Sequence, residues 1–74
     1  MAEMAKETLK ITWAAARVNA GLTQDEVAKK LKIGKQTLVN WEHGDSEPKI
    51  SQALAMCDLY QVHIDNIFMP IKSN

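Results

Sequence analysis

The stretch Leu22–Gly44, LTQDEVAKKLKIGKQTLVNWEHG, decides the fold of this chain. Its first half opens with Thr23, and the spacing from Thr23 to Glu26 is that of a capping box at a helix start. The apolar residues that follow form one stripe at helical spacing, namely Val27, Ala28 and Leu31. The pattern predicts a helix that begins at Gln24 and ends near Leu31.

The second half of the stretch predicts another helix after a tight turn. Lys32, Ile33 and Gly34 form the connection, with Ile33 pointing inward. A helix over 35–43 then places Leu38 and Trp41 inward, and Gly44 stops it. Its outward positions are mostly polar: Lys35, Gln36, Thr37, Val39 and Asn40. A short helical pair of this kind is a helix-turn-helix.

Three further helical segments flank this pair. A helix is expected over 13–20, between a Thr12 cap and the stop at Gly21. Another is expected over 50–60, with an inward stripe of Ile50, Ala53, Leu54, Cys57 and Tyr60 that Met56 and Leu59 widen. A last turn of helix over 65–68 ends before Pro70 and faces Ile64, Ile67 and Phe68 inward. The predicted domain covers 9–69, between a flexible N-terminal tail (1–8) and a C-terminal tail (70–74).

The composition indicates one small, packed, mostly helical domain. The chain has 74 residues, of which 46% are hydrophobic and 24% are charged, so it should be marginally stable alone. Nine basic residues balance nine acidic ones, and a neutral chain does not by itself suggest a nucleic-acid partner. One cysteine excludes an internal disulfide and favours the cytoplasm. No apolar run approaches the length of a membrane span.

Other classes of function find little support in the residues. His43 and His63 lack ligands at metal-binding spacing, so no metal is expected. No recognisable spacing pairs a nucleophile with a base, so we expect no enzyme, no cofactor and no small-molecule ligand.

The order of motifs resembles the Cro and phage-repressor (XRE-like) family of DNA-binding domains. The matching residues are Thr23, Gln24, Val27, Ala28, Leu31, Ile33, Thr37, Leu38, Trp41, Glu42, Gly44 and Pro48. The resemblance implies an all-α, compact five-helix, lambda-repressor-like domain with a helix-turn-helix. It also implies a dimer that binds a pseudo-palindromic operator, each third helix entering the major groove, and acts as a repressor.

The resemblance assigns roles to individual positions. Lys35, Gln36 and Asn40 match the positions that reach base edges, and Thr37 can approach a thymine methyl or a phosphate. Gln24 matches a position that meets a phosphate. The chemistry agrees, because Lys donates to guanine and Gln or Asn binds adenine bidentately. Val39 either packs on a thymine methyl or sits at the edge of the core. His43 and Lys49 are expected to contact phosphates; a merely solvated surface is the alternative.

The resemblance also pairs Arg17 with Glu42 in a partly buried, bidentate ion pair that holds the third helix; the alternative is a plain surface pair. Two departures from the family pattern stand out. Lys32 occupies the position of a glycine that takes a left-handed conformation. Asp45 and Glu47 replace residues that are often basic, which weakens the expected DNA affinity.

The apolar C-terminal segment allows two uses. Ile64, Ile67, Phe68 and Ile71 either form the contact of a homodimer or cover the domain's own core.

The sequence allows two functions for the chain as a whole. The first is a cytoplasmic, sequence-specific DNA-binding transcriptional regulator. The alternative is a protein-interaction module, an anti-repressor or adaptor that keeps the fold and binds another regulator.

Overall fold

The structure, a computed structural model, describes residues 10–68. Four α-helices follow one another: α1 (Trp13–Asn19), α2 (Gln24–Leu31), α3 (Lys35–His43) and α4 (Ile50–Tyr60). A strand β1 (Ile11–Thr12) precedes them, and a 3-10 turn (Ile64–Asn66) and a strand β2 (Ile67–Phe68) follow. The predicted helices 24–31, 35–43 and 50–60 are confirmed, and the predicted helix 13–20 ends one residue earlier.

Side-chain caps fix where the first two helices begin. The Ala15 N–H donates to Thr12 Oγ1 over 3.0 Å at the start of α1. At the start of α2 the Glu26 N–H donates to Thr23 Oγ1 (3.1 Å) and the Thr23 N–H donates to Glu26 Oε1 (2.8 Å). The predicted capping box is therefore confirmed, and it satisfies two backbone donors that a helix start leaves without partners.

The core lies where all four helices meet. Trp13, Val27, Leu38 and Met56 are its largest fully buried side chains, one from each helix. Trp13 and Tyr60 meet edge to face, with ring centroids 6.3 Å apart. Leu31 and Ile33 pack against this core from the helix-turn-helix. Burial of α3 against it leaves the polar side of that helix facing outward.

The inward face of α4 differs from the predicted one. Its buried residues are Ala53, Met56, Cys57 and Tyr60, whereas Ile50 is 69% exposed and Leu54 is 50% exposed. Both stripes repeat at helical spacing, and α4 is apolar over a wide arc, so periodicity alone did not determine its rotation. Met56, which was expected only to widen the inward stripe, is fully buried.

The end of the domain is also not the predicted helical turn. Only Ile64–Asn66 form a 3-10 turn, and Ile67–Phe68 pair in parallel with Ile11–Thr12. The expected five-helix count is therefore not confirmed. Ile67 is buried as predicted, but Phe68 is 51% exposed and does not face inward. Ile11 and Ile67 are β-branched residues, which suit a strand.

The predicted tails 1–8 and 70–74, the outer ends of the 9–69 domain and Ile71 lie outside the described residues. Between Lys10 and Phe68, no helix is long and apolar enough to cross a membrane.

Candidate nucleic-acid interface

The turn between α2 and α3 sets how the two helices meet. Lys32 adopts the left-handed conformation (φ 59°) that glycine favours, so the backbone keeps the geometry that the family glycine would provide. The Ile33 N–H then donates to the Ala28 carbonyl over 3.0 Å. Ala28 is buried, and its small side chain leaves room for the chain to turn back across α2.

A buried carboxylate links α3 to the rest of the domain. Arg17 Nε donates to Glu42 Oε2 over 2.7 Å, and Arg17 Nη2 donates to Glu42 Oε1 over 3.2 Å. Arg17 Nη1 also donates to the Leu22 carbonyl over 3.0 Å. The Arg17 side chain is only 14% exposed and the Glu42 side chain only 4%. This is the bidentate, partly buried pair that the family resemblance implies.

Hydrogen bonding to Glu42 raises the pKa of Arg17, against the opposing effect of burial. The guanidinium therefore keeps its charge throughout the accessible pH range. Tyr60 lies close enough to both partners to respond to their charges: its own pKa rises to about 12, mainly through burial and then through Glu42.

Gln24 belongs to the same network. Its Nε2 donates to Glu42 Oε1 over 3.0 Å, so Glu42 accepts from two different helices. The sequence predicts a phosphate contact for Gln24, and one N–H of its amide remains for such a contact after the bond to Glu42. The sequence did not predict the link between Gln24 and Glu42, because it depends on how the two helices pack against each other.

The outward side of α3 presents the residues predicted to reach bases. Lys35, Gln36 and Thr37 are exposed in the first turn, and Asn40 is half-buried one turn later. Gln36 Nε2 donates to Asn40 Oδ1 over 3.0 Å. Val39, which was expected either to pack on a thymine methyl or to sit at the edge of the core, is half-buried.

Lys35 also has an acidic neighbour. Its Nζ lies 3.6 Å from Asp25 Oδ1, with the two side chains 54% and 73% exposed. An exposed pair at this distance is weak, and Lys35 remains free to turn toward another partner. The sequence did not predict this contact either, because it also depends on how α2 packs against α3.

The candidate phosphate contacts on the far side of α3 are accessible. His43, the last residue of α3, and Lys49, which precedes α4, are both exposed. Between them Asp45, Ser46 and Glu47 are exposed as well, so the acidic loop lies at the surface. The Asp45 N–H donates to the Asn40 carbonyl over 2.9 Å, and this bond ties the loop to the end of α3.

Comparison with known proteins gives a family and several relatives. The family model described as helix-turn-helix matches residues 14–67. The chain is 42% identical over 50 residues to the HTH-type transcriptional regulator ImmR of Bacillus subtilis, covering 68% of this chain but only 39% of ImmR. It therefore spans well under two thirds of that relative.

Two archaeal relatives are matched over more of their length. An uncharacterized HTH-type transcriptional regulator of Methanocaldococcus jannaschii is 35% identical, over 65% of this chain and 73% of the relative. Another from Archaeoglobus fulgidus is 30% identical, over 72% of this chain and 76% of the relative. No solved structure gives a significant match.

Proposed function

This chain belongs to the helix-turn-helix family, of the XRE type that its sequence resembles, and from that membership we propose that it is a sequence-specific DNA-binding transcriptional regulator. It acts in the cytoplasm as a phage-type repressor that occupies a promoter. The three relatives are named as transcriptional regulators, which supports this class of function.

The single observation that carries the proposal is how α3 is held. Its inward residues Leu38 and Trp41 are buried, and Glu42 joins it to both Arg17 and Gln24. A helix fixed in this way presents its polar side without having to order on binding, which lowers the entropic cost of recognition. In the proposal, this polar side enters the major groove.

Each polar residue then has a role in binding. Lys35, Gln36, Thr37 and Asn40 reach base edges, where Lys donates to guanine and the amides match adenine. Gln24, His43 and Lys49 contact phosphates and set the register. Arg17 and Glu42 hold the helix and make no contact with DNA.

We propose that two copies bind one operator. A two-fold dimer places its recognition helices about 34 Å apart, one turn of DNA, and requires a pseudo-palindromic site. The predicted dimer contact needs a correction, because Ile67 is only 3% exposed and belongs to the core. Phe68 is exposed, whereas Ile64 packs partly against the core. The proposed contact therefore centres on Phe68.

A binding titration tests the function directly. Duplexes from the neighbourhood of the protein's own gene are titrated at two salt concentrations. The affinity of a DNA-binding protein falls steeply as salt rises, since each neutralised phosphate adds about 0.9 to the slope of log affinity against log salt. Absence of binding at low salt to every such duplex would reject the proposal.

Two variants separate base contacts from phosphate contacts. Gln36→Ala should weaken binding to the operator while leaving binding to unrelated DNA nearly unchanged. Lys49→Ala is its matched control: it should weaken both and reduce the salt slope by about 1. An equal loss from Gln36→Ala on all sequences would assign Gln36 to the backbone instead.

The protein-interaction alternative makes the opposite prediction. A neutral chain with Asp45 and Glu47 at its surface suits a basic protein partner better than DNA. In that case the titrations fail while the protein still binds another regulator from the same gene neighbourhood.

Phe68→Ala tests the proposed dimer, since it should shift the sedimentation of the protein from dimer to monomer.

A further inference from the structure

The exposed side of α3 carries two primary amides that are bonded to each other. Gln36 Nε2 donates to Asn40 Oδ1 over 3.0 Å. Gln36 is exposed and Asn40 is half-buried, so Asn40 is the more restricted of the two. Residues four apart lie on one face of a helix. The two amides therefore face the same partner from consecutive turns.

The bond determines which atoms Gln36 presents. A free glutamine amide turns over readily, which exchanges the positions of its oxygen and nitrogen. With Nε2 directed at Asn40, Gln36 keeps its carbonyl Oε1 and one N–H for a further partner. Asn40 has used Oδ1 as an acceptor, so it offers mainly the donors on Nδ2.

An acceptor beside a donor is the pattern that complements adenine. In the major groove, adenine presents the N6 donor next to the N7 acceptor, whereas guanine presents two acceptors. Cytosine offers a donor alone, and thymine offers an acceptor and a methyl group. Facing guanine, the Gln36 carbonyl would meet another acceptor and lose its bond.

On the basis of the function proposed above, we infer that Gln36 and Asn40 read a single adenine as one unit. Gln36 makes the bidentate contact, and Asn40 is a positioning residue that orients the Gln36 amide. The two amides are then not independent readers of two bases, as side-by-side amides on a helix would otherwise be. Specificity for adenine depends on a residue that need not touch it.

The test begins with selection of a binding site by the full chain from a pool of random duplexes. Substituting Gln36→Ala identifies the position that Gln36 reads, because the preference there disappears. At that position the wild-type protein should bind adenine at least about fivefold more tightly than guanine. This ratio of affinities is the readout, and a purely structural role for Asn40 would not change it.

Variants at position 40 decide the role of Asn40. Asn40→Ala removes the acceptor and should bring the adenine-to-guanine ratio toward one. Asn40→Asp retains an acceptor for Gln36 and should keep the ratio, although its negative charge weakens binding to all DNA. Asn40→Leu, closer to asparagine in size, is the second variant without an acceptor. Circular dichroism and thermal unfolding show which variants keep the fold.

Each result has a defined meaning. If no sequence is selected from the pool, the proposed function fails, and this inference fails with it. If a site is selected but Asn40→Ala or a folded Asn40→Leu keeps the full adenine preference, only the inference is overturned. A loss of preference in Asn40→Asp equal to that in Asn40→Ala overturns it too, because the acceptor would then be irrelevant.

Discussion

Arg17 Nε lies 2.7 Å from Glu42 Oε2, although 25 residues separate them along the chain. The contact joins α1 to the next-to-last residue of α3, and the Leu22 carbonyl and the Gln24 amide bond to the same two side chains. The orientation of α3 therefore depends on residues from three parts of the domain.

Removing one partner of this pair should destabilise the domain. Glu42→Ala leaves the Arg17 charge largely buried without its carboxylate and also frees the Gln24 amide. We expect the free energy of unfolding to fall by about 3 kcal/mol. Urea denaturation followed by circular dichroism measures the loss. The double variant Arg17→Ala/Glu42→Ala should lose less than the sum of the two single variants.

The contact between Asp25 and Lys35 supplies the matched control. Both side chains are mainly exposed, so Asp25→Asn should change the free energy of unfolding by less than about 1 kcal/mol. Equal losses from Glu42→Ala and Asp25→Asn would contradict the special role of the buried pair.

Tyr60 should make the domain sensitive to alkali. Its pKa is raised from 10.0 to about 12, first by burial and then by Glu42, with Arg17 opposing. The folded state thus holds the proton more tightly than the unfolded chain does. The resulting stability is fully present below pH 10 and is lost as the pH rises from 10 toward about 12.

The comparison with Tyr60→Phe isolates this effect. The Tyr60 hydroxyl has no hydrogen-bond partner among the described residues, so the substitution should cost under about 1 kcal/mol at pH 7. Between pH 10 and 12 the variant should lose less stability than the wild type. Tyr60 is the only tyrosine of the chain, so tyrosinate absorbance reports its ionisation directly; a midpoint near 10 in the folded protein would refute the prediction.

Lys32→Gly should stabilise the turn. Lys32 has φ 59°, a conformation that costs a residue with a Cβ about 1–2 kcal/mol, while glycine loses more entropy on folding. The free energy of unfolding, measured by thermal denaturation, should therefore rise by about 0.5 kcal/mol. Gln61→Gly tests the same effect at the end of α4, where φ is also 59°. Gly44→Ala, at φ 82°, should instead lower the free energy of unfolding. A lower free energy of unfolding in Lys32→Gly would contradict the prediction.

Cys57 should report opening of the core. It is buried, and burial raises the pKa of its thiol, so little reactive thiolate is available in the folded state. Labelling with an aromatic disulfide should be slow in buffer and fast in urea, and should follow the fraction unfolded. Because Cys57 is the only cysteine, one label per chain is expected. Rapid labelling without denaturant would show local opening of α4.

Local sequence signals predicted the helix-turn-helix well. The capping box at Thr23, the inward Leu38 and Trp41 and the stop at Gly44 act within a few residues, so they are visible in the sequence. The rotation of α4 was not predictable from periodicity, because Ile50 and Leu54 are as apolar as the residues of α4 that are buried. That choice is made by packing against the other helices.

The candidate site was likewise predicted only in part. The family pattern placed Arg17 with Glu42 and the polar row on α3. It did not show that Gln24 bonds to Glu42 or that Asp25 lies near Lys35, because both contacts depend on how α2 packs against α3. The bond from Gln36 to Asn40 follows from their spacing, but which amide donates depends on the folded surroundings.

The parallel pairing of Ile11–Thr12 with Ile67–Phe68 has a consequence for synthesis on the ribosome. Ile67 is a core residue, only 3% exposed, and it is reached only after all four helices have been made. Loop closure over this length is slow relative to local helix formation. The emerging chain therefore carries a helix-turn-helix with an incomplete core until Ile67–Phe68 leave the exit tunnel and pair with Ile11–Thr12.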